Sequence, residues 1–329
     1  MKPEFLNSIF DITNQPDFNK RTLEVFRFQA DNNQVYKDFI KYLGIDPDTV
    51  SRVSEIPFLP AGFFKNHIIL SGIDPGTLVF ESSGTTGKMT SRHYVRDVSI
   101  YETSFLRTFN MFYGDPEDYV IAALLPSYTE RENSSLIYMV NTLIERSSSA
   151  YSGFCRENID EFLANIVKAG VENRKIILLG VCFALLDLAE KYSPDLSGVI
   201  VMETGGMKGR RREMTREELH SVLKKRLNTE NIHSEYGMTE LLSQAYSKGG
   251  GIFSCPPWMK ILIREPQDPF SVITESGKTG GINIIDLANI YSCSFIATDD
   301  LGRLHKDGSF EVLGRFDSSD IRGCNLLLE

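Results

Sequence analysis

The sequence has few of the features that mark export, membrane insertion or nucleic-acid binding. Its five cysteines, Cys155, Cys182, Cys255, Cys293 and Cys324, are odd in number and form no C-x-x-C pair. Neither a disulfide framework nor a zinc knuckle is therefore expected, and a reduced, cytoplasmic setting is. Positive charge is scarce: 35 Lys and Arg stand against 44 Asp and Glu, a formal net charge of -9, which argues against nucleic acid as a partner because that surface needs a basic stripe. The run Lys208-Gly209-Arg210-Arg211-Arg212 is a local basic patch, read either as a solvated approach to a helix or as a phosphate contact. No apolar run approaches the length of a membrane span, and the first five residues lack a continuous apolar core. Internal repeats and low-complexity linkers are absent as well. What is present is an ordinary globular composition, 42% hydrophobic and 24% charged over 329 residues, enough for one large domain or two.

Residues 3–72 read as mainly helical, with Tyr36, Phe39, Ile40 and Leu43 at the spacing of one helix face, and Pro57 and Pro60 interrupting that character later. Residues 77–80 read as a strand, 94–95 as a return strand, and 98–112 as an amphipathic helix ending near Gly114. Apolar strands at 119–125, 175–179 and 198–202 then alternate with helices at 134–145, 182–192 and 215–227. Such alternation predicts an α/β fold with a largely parallel sheet and ligands at the carboxyl ends of its strands. Short strands at 261–263, 281–287, 294–297 and 310–313, with glycine-bearing turns, predict a β-rich subdomain that closes the chain. The expected divisions are a helical part over 1–72, an α/β core over 73–255, the β-rich subdomain over 256–323 and a tail over 324–329.

Five polar motifs fall at strand ends. The first, Ser82-Ser83-Gly84-Thr85-Thr86-Gly87-Lys88, combines hydroxyl donors, two glycines that let backbone approach an anion, and a mobile cation. Its spacing is not that of a Walker loop, and a plain turn has the same composition. The second is Gly205-Gly206, after the strand at 198–202, where a flat ring can lie against backbone. The third, Ser234-Glu235-Tyr236-Gly237-Met238-Thr239-Glu240, offers Glu240 as a ligand for Mg2+ shared with phosphate oxygens; the alternative is a capped helix start with Thr239 as N-cap. The fourth, Thr298-Asp299-Asp300-Leu301-Gly302, places a carboxylate suited to two ribose hydroxyls, or else an Asx-type surface turn. In the fifth, residues 314–323, Arg315 follows a strand and is available to phosphate or ribose.

Taken in order, these motifs resemble the core motifs of adenylate-forming enzymes: acyl-CoA synthetases, nonribosomal adenylation domains and luciferases. The resemblance spans residues 82–323. It implies the large N-terminal-type domain of that fold, with mixed, mostly parallel sheets flanked by helices. It also implies ATP as cosubstrate with AMP and pyrophosphate as products, residues 82–88 around the pyrophosphate, Gly205 and Gly206 along the adenine and Tyr236 stacked near it. Gly237 would belong to the nucleotide site, Thr239 and Glu240 would meet phosphate and Mg2+, Asp300 the ribose, and Arg315 ribose or phosphate. Three departures stand out: Lys88-Met89-Thr90 replaces the usual Pro-Lys-Gly ending, Asp299 replaces the customary glycine, and the mobile C-terminal lid domain with its catalytic lysine is expected to be absent.

A short enzyme of this kind ending in Arg322-Gly323-Cys324-Asn325-Leu326 looks most like the acyl-protein synthetase (LuxE-like) family, whose members place an acyl-accepting cysteine near the C-terminus. The resemblance implies activation of a carboxylic acid, in this family a fatty acid, to an acyl-adenylate, with transfer to Cys324 or to a thiol of a partner acyl reductase or acyl-carrier protein. Lys88, Glu240 and Arg315 would serve the first step and Cys324 the second; Arg322, if unpaired, would favour the Cys324 thiolate. A small buried Cys324 in a last strand is the competing reading. Two further readings stay open: a CoA ligase using free CoA, and a non-catalytic nucleotide-binding subunit of a reductase complex. The acid pocket is expected between residues 125 and 154, with Tyr128, Tyr138 and Phe154 available, and near Gly205 and Gly237.

Overall fold

In the computed structural model, the structure describes residues 6–74, 76, 78–82, 89–126, 133–155, 158–207, 210–212 and 214–316. The N-terminal part is helical, as the spacing predicts: α1 (Gln15–Asn32), α2 (Gln34–Tyr42) and the single turn α3 (Phe63–Asn66), with a short extended piece β1 (Leu59–Pro60) between the last two. The Asn14 side chain caps α1, and Asn33 both ends α1 and caps α2 by accepting from the Tyr36 amide. Tyr36 and Ile40 are buried on one face of α2 and Phe39 is half-buried beside them.

A two-stranded hairpin follows, β2 (Leu78–Glu81) antiparallel to β3 (Arg92–Val95), and α4 (Val98–Tyr113) stops at Gly114. The α/β layer then runs β4 (Tyr119–Leu124), α5 (Ser135–Ser147), β5 (Gly153–Phe154), α6 (Ile159–Val171), β6 (Lys175–Val181), α7 (Cys182–Lys191), β7 (Ile200–Thr204), α8 (Arg216–Leu227), β8 (Ile232–Tyr236) and β9 (Ala245–Ser247). The sheet order is β5-β4-β6-β7-β8-β9, parallel throughout except for the last pair. β4 is buried at every position and β6 at all but its first residue, the continuous apolar pattern of strands covered on both faces. The strand order reverses direction between β5 and β6, so the right-handed rule for parallel crossovers assigns α5 to one face and α6, α7 and α8 to the other. β5, α6 and β8 have no counterpart in the sequence reading: two residues of β5 carry no period, and β8 reads Ile-His-Ser-Glu-Tyr, polar where a buried strand is expected to be apolar.

The second sheet holds β10 (Ile252–Phe253), β11 (Met259–Arg264), β12 (Val272–Ile273), β13 (Thr279–Asp286), β14 (Phe295–Leu304) and β15 (Phe310–Arg315) in the order β10-β15-β14-β13-β11-β12. β13 covers one edge of β14, while the other edge is shared. β1 pairs in parallel with it at Ile296 and Ala297, and β15 pairs with it from Asp300 to Leu304. The N-terminal helices pack on this sheet. Phe26, Tyr36 and Phe58 surround the Phe295 ring at 6.0–6.2 Å, and the buried Gln29 amide bonds the carbonyls of Asn289 and Ile290 and accepts from the Ser294 amide. No described helix is long and apolar enough to cross a membrane.

Candidate active site

The second sheet and the α/β layer meet where the ends of β7, β8 and β15 face the middle of β14, and four of the five motifs converge there. Asp300 and Arg315 are paired across β14 and β15, which brings Arg315 Nε 3.4 Å from Asp300 Oδ1 and leaves its outer nitrogen 3.3 Å from Asp299. Tyr236, the last residue of β8, donates its hydroxyl to Asp300 Oδ2 at 2.7 Å, and its ring packs edge-on against both Phe253 and Phe310, which stack on each other. The Asp300 amide donates to Thr298 Oγ1. Burial pushes the Asp300 carboxyl above its ordinary range, with Tyr236 and Arg315 opposing. The reading of 298–302 as an Asx turn is corrected: β14 continues through all five residues, because β13 and β15 pair with it on either side.

Thr239 and Glu240 form a turn, closed by the Leu241 amide on the Met238 carbonyl. The reading of Thr239 as a helix N-cap is therefore also corrected, since no helix begins there. The physical reason lies in Asp286, a fully buried carboxylate that accepts from the amides of Leu242, Ser243 and Ala288 and from Ser243 Oγ. The Leu242 and Ser243 amides would fall in the first turn of a helix capped by Thr239; bonded to Asp286, they fix an irregular segment instead. Asn289 Nδ2 donates to the Glu240 carbonyl at 2.7 Å.

Glu240 is 6% exposed. Burial raises its carboxyl, while Ser91, Lys65 and Arg315 pull it back down. Ser91 belongs to the base of the β2–β3 hairpin, where the Ser82 amide donates to the Ser91 carbonyl at 3.0 Å and the Ser91 amide donates to Ser82 Oγ at 2.8 Å. His93 of β3 closes the arrangement: its Nδ1 lies 2.8 Å from the Thr239 carbonyl, which requires the proton on Nδ1. Burial depresses this imidazole to about 4, so it is neutral at physiological pH. The hydroxyl-rich loop thus leaves its hairpin beside Glu240. Of that loop Ser82 is described; Ser83, Gly84, Thr85, Thr86, Gly87 and Lys88 lie outside the described residues, as do Tyr128, Lys208, Gly209, Arg322 and Cys324.

Gly205 and Gly206 follow β7 on an exposed shelf. Gly205 has φ 67°, a conformation that favours glycine, and a Cβ on Gly206 would meet nothing within 4 Å. The turn is tied from behind. Cys182 Sγ, at the start of α7, lies 2.9 Å from the Gly205 carbonyl, and Thr204 donates to Glu235 on β8. Glu203 is buried and held by Arg216 Nε at 2.9 Å; Arg216 also donates to the Val312 carbonyl and lies over the Phe253 ring, bracing the second sheet against β7. Burial alone would raise Glu203, but His220, Arg216 and Ser234 together hold it down to about 2.

The arrangement can do three things chemically: present backbone and a shelf to a flat ring, offer a carboxylate to vicinal hydroxyls, and set a buried carboxylate near two cations, Lys65 and Arg315. Mg2+ fits the last of these. Among the described residues no group of three or more His, Cys, Asp or Glu can hold a metal, whereas one carboxylate facing substrate phosphates is the usual way Mg2+ is held.

Sequence reasoning missed Lys65, Ser91, His93, Glu235 and Arg216. Lys65 sits on a one-turn helix that no period reveals. Glu235 lies inside a recognised motif, and its signal is a charge in a strand buried at every position. The basic patch resolves toward structure at Arg211, which pairs with Asp187 and Glu190. Of the candidate pocket rings, Tyr138 on α5 bonds Glu102 at 2.5 Å and packs on Phe80, and Phe154 ends β5.

A family model described as "Acyl-protein synthetase, LuxE" matches residues 10–329, and no curated protein sequence matches. A long-chain-fatty-acid-CoA ligase from Archaeoglobus fulgidus superposes with a TM-score of 0.51 at 17% identity, over 72% of this chain and 51% of that one. A luciferase-like enzyme from the mealworm Zophobas morio gives 0.49 at 17% identity, over 75% and 59%. O-succinylbenzoate coenzyme A synthetase from Bacillus subtilis, solved with AMP, gives 0.47 at 16%, over 73% and 61%. The chain spans less than two thirds of the length of each. The fold is that of the large N-terminal domain of adenylate-forming enzymes.

Proposed function

The chain belongs to the LuxE acyl-protein synthetase family, and from that premise we propose that it activates a carboxylic acid with ATP to an acyl-adenylate and passes the acyl group to a cysteine thiol. The observation that carries the reading is the convergence of Tyr236, Glu240, Asp300 and Arg315 on the mouth of the β2–β3 hairpin. The acid is anionic before reaction, so no general base is required. The catalyst's task is to align the carboxylate with the α-phosphorus and to balance charge as pyrophosphate leaves. Asp300 would hold the ribose, its second oxygen steadied by Tyr236. Gly205 and Gly206 would carry the adenine. Lys65, Arg315 and Lys88 would face the phosphates, with Ser82 and its loop, residues 83–87, as donors. Glu240 would hold Mg2+, which supplies charge neutralisation there.

In the second step a thiolate attacks the acyl carbonyl, the C–O bond to phosphate breaks and AMP leaves, giving a thioester. Cys324 is the proposed acceptor, with a thiol on a partner acyl reductase or acyl-carrier protein as the other, and a fatty acid as the acid. Pyrophosphate exchange into ATP that depends on added carboxylic acid tests the first step; no exchange with any acid would leave a nucleotide-binding subunit as the better reading. Cys324→Ala tests the second: exchange persists and retention of labelled acyl on the chain is lost. Full retention refutes Cys324 as acceptor, and thioester formation on free CoA would favour a CoA ligase.

A further inference from the structure

The Thr239–Glu240 turn is held by hydrogen bonds to its own two carbonyls, each from a different part of the molecule. His93 Nδ1 of β3 lies 2.8 Å from the Thr239 carbonyl, and Asn289 Nδ2, from the segment between β13 and β14, lies 2.7 Å from the Glu240 carbonyl. Both side chains are buried. Asn289 is itself fixed: its amide donates to the Asp286 carbonyl, and its own carbonyl accepts from the Gln29 amide of α1. The His93 ring packs edge-on against Phe64 of α3, 5.7 Å away.

Residues 91–95 alternate as a strand does, so Ser91 and His93 share a buried face with Arg92 exposed between them. That face is turned to the Glu240 turn. The Ser91 side chain favours the Glu240 carboxylate, and His93 holds the carbonyl of the residue before it. Ser91 also closes the base of the hydroxyl-rich loop through its paired bonds with Ser82. The β2–β3 hairpin therefore carries that loop at its end and grips the Glu240 turn on its side.

One further feature separates this grip from ordinary packing. Asn289 Oδ1 is buried with no hydrogen-bond partner among the described residues, although the imidazole faces its side chain. A neutral imidazole has one ring proton, and here it goes to Thr239. Turning the Asn289 amide over would set its oxygen against the Glu240 carbonyl. Both carbonyls of the turn are thus held while a buried acceptor stays unmet, an arrangement that costs stability and favours placement of the turn.

We propose that His93 is a positioning residue of the adenylation site, which fixes the Glu240 carboxylate relative to the hydroxyl-rich loop so that a polyphosphate with its Mg2+ meets both in one register. Asn289 is the second fixing point. This role rests on the nucleotide reading above. His93 touches no reacting atom and acts through the Thr239 carbonyl.

The test is ATP affinity by calorimetry with and without Mg2+, and AMP affinity beside it, at one pH, for the wild type, His93→Leu and His93→Asn. Leucine fills the site without a donor, whereas the asparagine amide sets a nitrogen near the place of Nδ1. In His93→Leu the gain in ATP affinity given by Mg2+ is expected to fall about tenfold, with AMP affinity within about twofold of wild type. His93→Asn is expected to recover most of that gain. An unchanged gain in His93→Leu, equal losses for AMP and ATP, or no recovery in His93→Asn each overturn the proposal and leave His93 a packing residue. A wild-type chain that binds ATP with no gain from Mg2+ overturns it as well. If His93→Leu does not fold, amide exchange of the wild type decides. ATP without Mg2+ is expected to slow exchange at 92–95 and 239–243 together, beyond the slowing that AMP gives; extra slowing confined to the hairpin overturns the proposal. A wild-type chain that binds neither nucleotide refutes the nucleotide reading itself, and this role with it.

Discussion

Replacing Arg216 with alanine leaves Glu203 buried without its guanidinium. Glu203 is 1% exposed, so solvent screens little of the interaction. Its carboxyl is held at about 2 against an ordinary 4.5, and at about 1.4 kcal/mol per pH unit this contributes roughly 3 kcal/mol to stability. Because the folded value is depressed, that contribution is fully present above pH 4.5 and is lost as pH falls through about 2. Breaking a buried pair by removing one partner costs about 3–5 kcal/mol; His220 and Ser234 remain in Arg216→Ala, so the lower end, ~3 kcal/mol, is expected. The sign of the pH dependence should invert. With burial opposed only by His220 and Ser234, the carboxyl moves upward, and the variant recovers part of its loss as pH falls toward 5. Urea unfolding near pH ~5 and ~7.5 measures both quantities. A loss below ~1 kcal/mol with no pH dependence would refute the assignment of Arg216 as the brace. Arg216→Met with Glu203→Gln should restore much of the stability, because it removes the uncompensated charge.

Three other perturbations follow from the same geometry. Gly237→Ala puts a methyl 2.5 Å from Glu235 Oε1, and the forced shift should cost about 1–3 kcal/mol and weaken nucleotide binding; an unchanged melting temperature and unchanged affinity would count against the packing described. Tyr236→Phe removes one charge-assisted hydrogen bond to Asp300, ~1.5–3 kcal/mol, and ATP affinity is expected to fall with little change in the acid's KM. A loss confined to the acid would place the ribose elsewhere. Asp286→Ala orphans three amides and one hydroxyl, and the chain should unfold at markedly lower urea, with exchange of the 238–244 amides accelerated first; uniform acceleration would mean that Asp286 serves the whole sheet instead.

Much of the fold was legible because its strands and helices obey simple periods. The apolar runs of β4, β6 and β7 and the stripe of α2 need no tertiary information. Residue spacing also marked Glu240, Asp300 and Arg315, since carboxylates and a guanidinium at strand ends are chemically conspicuous. The relation between them was not legible. Tyr236 looks like a ring for stacking until β8 and β14 are adjacent, when its hydroxyl becomes the partner of Asp300. Lys65 is separated from Glu240 by about half of the chain and comes close enough to act on its charge because β1 pairs with β14 and Phe64 packs on His93. β8 was missed for a physical reason: Ser234 and Glu235 are buried by hydrogen bonding and desolvation, a pattern that hydrophobic periodicity does not encode.

The shared edge of β14 has a consequence for how the molecule opens. β1 ends its pairing at Ala297 and β15 begins at Asp300, so the carboxylate proposed for ribose stands at the seam between the earliest and latest strands in the described chain. Either neighbour can detach without the other, which makes two separate routes of partial unfolding. A nucleotide seated at the seam would be lost by both routes, so its binding energy opposes both. Slowed hydrogen exchange in β1 and in β15 together, on adding AMP, would be the signature of a ligand acting as a keystone.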